Sequence, residues 1–98
     1  MPTQVRVYRM KPGELAVFVD EWLRQVVPLR RRFGFKIEHA WASEGDDVFV
    51  WVVSYLGDDW EAAERAYYDS PERRAMEPDP ARHIAEPSAF MAQPVPPL

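Results

Sequence analysis

His39 and His83 are the groups in this sequence best suited to move a proton near neutral pH. Strict alternation puts His39 on a strand face with Ile37 and Trp41, where it could serve as a buried base or a ligand-orienting donor. The plainer account is a hydrogen-bonded histidine packed at a sheet edge or a dimer seam. His83 lies four residues after Asp79, and a His–Asp pair can orient an imidazole for proton transfer. The plainer account has Asp79 capping a short turn and His83 in solvent. A metal site would need both histidines and a carboxylate to converge, which nothing in the spacing supports, so neither metal nor cofactor is expected. With no cysteine there is no disulfide, zinc–thiolate site or thiol nucleophile.

A second set of residues suits binding better than bond-making. Arg6 and Tyr8 share a strand face and could hold an anionic or phenolic ligand; the plainer reading is an ion pair with a carboxylate such as Glu38. Tyr67 and Tyr68 are adjacent on a helix and point about 100° apart, so one can face the sheet while the other looks outward. Trp22, Trp41, Trp51 and Trp60 could form an aromatic cavity or simply fill the core and a dimer seam. The run Arg30-Arg31-Arg32 reads as helix-end electrostatics and not as a phosphate site.

These residues need elements to hold them. Gln4 to Met10 alternates as a strand, with Val5 and Val7 on one face and Arg6, Tyr8 and Met10 on the other. After Pro12-Gly13, the spacing of Leu15, Phe18, Trp22, Val26, Leu29 and Phe33 predicts one helix, with Asp20, Glu21, Arg24 and Arg31 solvated. Pro28 should kink its last turns and Gly34 should stop it. Phe35 to Ser43 is a second strand. Glu44-Gly45-Asp46-Asp47 is a hairpin connection in which glycine supplies the positive φ. Val48 to Leu56 is apolar on both faces and so reads as buried on both sides.

Asp58 or Asp59 should cap a second helix, with Glu61 placed as in a capping box, and Ser70-Pro71 should restart a short one. Ile84 to Gln93 is a last strand that Pro87 confines to an edge or a bulge. The order strand, helix, strand, strand, helix, strand predicts an α+β, ferredoxin-like βαββαβ domain. Right-handed crossovers make a four-stranded antiparallel sheet with strands one and three central and both helices on one face. The domain spans residues 4–93, followed by a proline-rich tail at 94–98. One face of the third strand then has no cover within the chain. Packing on an identical sheet by two-fold symmetry is the simplest cover, so a homodimer through the sheet face is expected.

A net charge of −4 and a pI near 5.1 argue against a nucleic-acid partner. Val48 to Tyr55, the longest near-apolar stretch, is too short to span a bilayer, and the first residues lack the order of a signal peptide, so a cytoplasmic protein is expected.

Several segments together resemble the NIPSNAP family. They are Val5-Arg6-Val7-Tyr8-Arg9-Met10-Lys11-Pro12-Gly13-Glu14, then Val27-Pro28-Leu29-Arg30, then Ala40-Trp41 with Gly45 just after, and Val50-Trp51-Val52-Val53-Ser54-Tyr55. The resemblance implies membership of the dimeric α/β-barrel superfamily, in which two sheets close into one barrel and each subunit keeps a pocket between sheet and helices. The leading expectation is a NIPSNAP-like protein of unknown reaction that binds a small apolar or aromatic ligand there. Its ligand-binding candidates are Arg6, Tyr8, Trp22, His39, Trp41, Tyr67 and Tyr68. The alternative is a cofactor-free monooxygenase or isomerase of the antibiotic-biosynthesis-monooxygenase type, with His39 or His83 as base.

Overall fold

Strand β1 (Thr3–Met10) sits at the middle of the sheet, hydrogen-bonded on one side to β3 (Val48–Tyr55) and on the other to β4 (Ile84–Met91). Strand β2 (Phe35–Ser43) completes the antiparallel order β2-β3-β1-β4. The computed structural model describes residues 1–97. Helices α1 (Leu15–Glu21) and α2 (Val27–Arg32) form one rod that connects β1 to β2. Helix α3 (Trp60–Asp69) and the short α4 (Pro71–Arg74) connect β3 to β4. The expected α+β, ferredoxin-like topology is what the chain adopts, with β1 and β3 central. Overall dimensions of 39 × 36 × 19 Å leave room along the short axis for one sheet and one helical layer.

The rod between β1 and β2 is continuous but not uniform. Trp22–Val26 is a π-helical turn, closed by the Val27 N–H donating to the Trp22 carbonyl. Pro28 has no N–H for the Arg24 carbonyl, and its ring would crowd that carbonyl in a regular α-helix. The wider turn takes up the conflict one turn ahead of the proline, so the expected kink is a local widening. The apolar stripe is otherwise as the spacing predicts: Leu15, Phe18, Trp22, Val26 and Leu29 are buried. Glu21 and Arg30, read from sequence as solvated or as part of a charged helix end, are buried too, at 5% and 1% exposure.

The two rows of β3 divide cleanly. Phe49, Trp51 and Val53 are buried under the helices, while Val48, Val50 and Val52 are half-buried on the other face. The expected continuous alternation of β2 fails at Glu38. Ile37 pairs with Val53, but His39 pairs with Val52, so the register shifts by one residue between them. One unpaired residue reverses the face of everything after it. His39 and Trp41 therefore stand over Val52 and Val50 on the helix-free face, and Ala40 and Ala42 stand over Trp51 and Phe49. They do not share a face with Phe35 and Ile37. In the β2–β3 connection the positive φ belongs to Asp47, at 52°, and not to Gly45. Aspartate tolerates the left-handed region better than most residues.

Candidate functional site

Between sheet and helices lies a cavity of about 250 Å³. Arg6 and Tyr8 of β1 and Trp51 of β3 form its floor. Trp22 and Arg30 wall it from the α1–α2 rod; Tyr67, Tyr68 and Arg73 wall it from α3 and α4. Pro80, Ala81, Ile84 and Pro87 border it where the chain enters β4.

Local sequence explains each placement. Arg6 faces Trp51 directly across the β1–β3 pair, and its guanidinium carbon lies 5.4 Å from the indole centroid. Asp59 caps α3 by accepting from the Ala62 N–H at 3.0 Å, which sets the helix phase. That phase turns Tyr67 inward, at 1% exposure, and leaves Tyr68 at 41% with its hydroxyl reaching back over the cavity. Ser70 caps α4 by accepting from the Arg73 N–H at 3.1 Å, and Pro71 occupies its first turn.

The polar centre of the site is a buried ion cluster. Arg30 is caged by rings, its guanidinium carbon 3.9 Å from the Tyr67 centroid and 4.6 Å from that of Phe35. Its Nη1 donates to Glu64 and its Nη2 to the Tyr68 hydroxyl at 3.2 Å. Arg6 meets the same two partners: Nη1 lies 3.7 Å from Glu64 Oε2, and Nη2 donates to the Tyr68 hydroxyl at 3.0 Å. The ion pair with Glu38 considered for Arg6 does not form; Glu38 instead meets Lys36 at 3.2 Å and accepts from the Ser54 hydroxyl.

Burial pushes the Arg6 guanidinium down, but the phenols of Tyr8 and Tyr68 and the Glu64 carboxylate outweigh it and leave Arg6 above its ordinary value. Burial raises the phenols of Tyr8 and Tyr67, with Arg6 opposing it at Tyr8 and Arg30 at Tyr67. Both hydroxyls therefore stay neutral and able to donate.

Arg6, Tyr8, Trp22, Tyr67 and Tyr68, all singled out from sequence, come together here. His39 and Trp41 do not. They stack on one another on the far face of the sheet, with ring centroids 5.2 Å apart and planes 21° from parallel. Trp60 also lies apart, packed edge-on against Phe35.

His83 is buried and not solvated, and its partner is not Asp79. Asp79 caps the 3-10 turn Pro80–His83 through the Ala81 N–H. His83 Nδ1 instead lies 2.7 Å from Glu14 Oε1, and Nε2 lies 3.2 Å from Glu21 Oε1. Arg82 forks onto Glu21 with bonds of 2.8 and 2.7 Å. That fork holds the Glu21 carboxyl below its usual range, against the opposing effect of burial. The cluster fastens the start of β4 to α1 beside the cavity, its histidine edge-on to Phe18.

Arg30, Glu64 and Arg73 are the site residues that sequence reasoning missed. Arg30 sits four residues after Val26 and eight after Trp22, on the buried stripe, although its basic neighbours disguise it. Glu64 sits three and four residues before the tyrosine pair, which places all three on one side of α3. No group of three or more His, Asp or Glu side chains able to hold a metal occurs among the described residues. None of their helices is long and apolar enough to cross a membrane.

Fold and cavity together define a ferredoxin-like α+β domain with an aromatic, arginine-bearing pocket under its helices. Among solved structures this chain is similar to NIPSNAP proteins. A NIPSNAP domain protein from Burkholderia xenovorans superposes with a TM-score of 0.81 at 16% identity, over 98% of this chain and 96% of that one. A NIPSNAP family protein from Agrobacterium tumefaciens superposes with a TM-score of 0.84 at 12% identity, over 97% and 93%. An antibiotic biosynthesis monooxygenase superposes with a TM-score of 0.68 at 15% identity, over 98% and 100%. At such identities the likeness is one of fold. No family profile and no curated protein matches the sequence.

Proposed function

We propose that this chain is a NIPSNAP-type protein that pairs with a second copy through its open sheet face and holds one small apolar or aromatic ligand per subunit. The observation that carries the ligand half is the cavity itself. It remains open at about 250 Å³ although Trp22, Trp51, Tyr8 and Tyr67 all border it. A polar cluster surrounded by apolar walls, under the helices of a sheet, is the usual composition of a small-molecule site. Support for the dimer comes from the other face. Val5, Val7, Val50 and Val52 are half-buried there, flanked by Trp41 at 56% exposure and Phe90 at 52%. An apolar sheet face of this kind is stably covered by a second sheet.

Cofactor-free monooxygenase or isomerase chemistry is the alternative, and the fold likeness to an antibiotic biosynthesis monooxygenase favours it. Neither candidate base borders the cavity, since His39 is on the far face and His83 is enclosed by Glu14 and Glu21. Thermal shifts and ligand-observed NMR against a panel of apolar and aromatic compounds test the binding reading, which fails if no compound binds. Oxygen consumption with quinol substrates, abolished in a Tyr67→Phe protein, would favour the enzyme instead. A monomer at micromolar concentration in light scattering would defeat the dimer.

A further inference from the structure

Resting on that reading of the cavity, we infer that its ligand is a planar aromatic molecule bearing one anionic oxygen group, foremost a carboxylate, seated against Arg6 and Arg30. The charge balance points this way. Two guanidiniums enter the site and share a single carboxylate, Glu64, which is the only carboxylate within 4.0 Å of either among the described residues. The buried cluster thus carries one unmatched positive charge. An isolated charge out of water is costly, and an arriving anion relieves that cost. Arg73, the third guanidinium at the cavity, is engaged by Asp79 at 3.1 Å.

Hydrogen-bonding capacity has the same sign. At the cavity, Arg6 Nε and Nη1, Arg30 Nε, the Tyr67 hydroxyl and the indole N–H groups of Trp22 and Trp51 are buried without a hydrogen-bond partner among the described residues. All belong to residues that line the cavity, and none is a carbonyl or carboxylate. A surface rich in unspent donors selects a ligand rich in acceptors. The neutral phenols of Tyr8 and Tyr67 add donors and no competing negative charge.

Shape supplies the remainder. The walls are flat rings, and Arg30 is packed against Tyr67 and Phe35, so its unpartnered Nε is fixed in place before the ligand arrives. A cavity near 250 Å³ exceeds the ~150 Å³ that accommodates benzene, leaving space for a carboxylate or a second ring. Glu64 occupies the position a ligand carboxylate would compete for, which makes it an internal brake on affinity.

Two matched pairs of probes test this on the full chain: benzoate against benzamide, and 1-naphthoate against 1-naphthamide, by isothermal titration at low salt. The acid of at least one pair should bind about tenfold or more tightly than its amide. Arg6→Gln should erase that preference, and Glu64→Gln should raise affinity for the acid several-fold while leaving the amide unchanged. Acid and amide binding equally well to the wild type would overturn the anion assignment and leave the apolar cavity reading intact. If neither pair binds, both readings fall. A folded Arg6→Gln protein that keeps the full preference would also overturn the assignment; should that variant not fold, the wild-type pairs and Glu64→Gln decide alone.

Discussion

Replacing Glu21 with glutamine tests whether the Glu14–His83–Glu21–Arg82 cluster fastens β4 to the first helix. The substitution keeps the volume of a side chain that is only 6% exposed and removes its charge. Wild-type Glu21 accepts both arms of the Arg82 fork, at 2.8 and 2.7 Å. Hydrogen bonds to charged groups each contribute ~1.5–3 kcal/mol. Arg82 is 41% exposed and regains water when the fork is lost, and glutamine still accepts one bond, so the net loss is ~1–2 kcal/mol. For a domain of this size that is a fall in Tm of ~4–16 °C.

The pH dependence gives the sharper assay. Arg82 holds the folded-state pKa of Glu21 below its ordinary value of 4.5. A depressed carboxyl pKa contributes stability that is fully present above the unfolded-state value and is lost as pH falls through the folded-state value. Urea melts of both proteins at one protein concentration should therefore differ by the full amount between pH 6 and 7. The gap should close as pH drops from about 5 to below the ordinary value. A gap below about 0.3 kcal/mol at pH 7, or one constant from pH 7 to 3, would refute the assignment.

Other substitutions probe the remaining features. Val50→Glu, at the middle of the open face between Val7 and Trp41, should halve the mass seen by light scattering at micromolar concentration with the far-ultraviolet spectrum retained; a persisting dimer counts against that face. Gly34→Ala should lose ~1–2 kcal/mol in urea unfolding, because Gly34 has φ of 87° and an added Cβ would lie 3.2 Å from Tyr55 Cε1. Gly45→Ala, with nothing within 4 Å, should stay within ~0.5 kcal/mol of wild type. Deleting Glu38 removes only the unpaired residue and leaves Ile37 opposite Val53, His39 opposite Val52 and Trp41 opposite Val50, so both faces and cooperative unfolding should be kept; loss of the near-ultraviolet spectrum would refute that pairing.

Much of the architecture is legible in the sequence because its signals are local. Side-chain alternation in β1 and β3, the 3–4 spacing of the first helix, and the caps at Asp59, Ser70 and Asp79 each act within a few residues. What escaped depends on contacts between segments far apart. Nothing in the run Ile37-Glu38-His39 marks an extra residue, since the bulge exists only against β3, and the faces of His39 and Trp41 follow from it. Arg30 looks like one of three helix-end cations until Glu64, 34 positions later, comes to meet it. Glu21 likewise reads as solvated until Arg82 arrives from 61 positions away. Buried charges are the hardest residues to place from sequence, because burial is tolerable only with partners that the local pattern cannot name.

The extra residue in β2 also sorts the chain's ultraviolet emission. Trp22 and Trp51 are 4% and 1% exposed and emit from the interior, and Trp60 is half-buried against Phe35. Trp41 is 56% exposed on the open face only because the bulge turned it there. Iodide in solution reaches Trp41 in the separate subunit, and a second sheet laid over that face would shield it. The same four indoles thus carry two signals, an interior one that follows folding and a quenchable one that the proposed sheet-to-sheet pairing would silence.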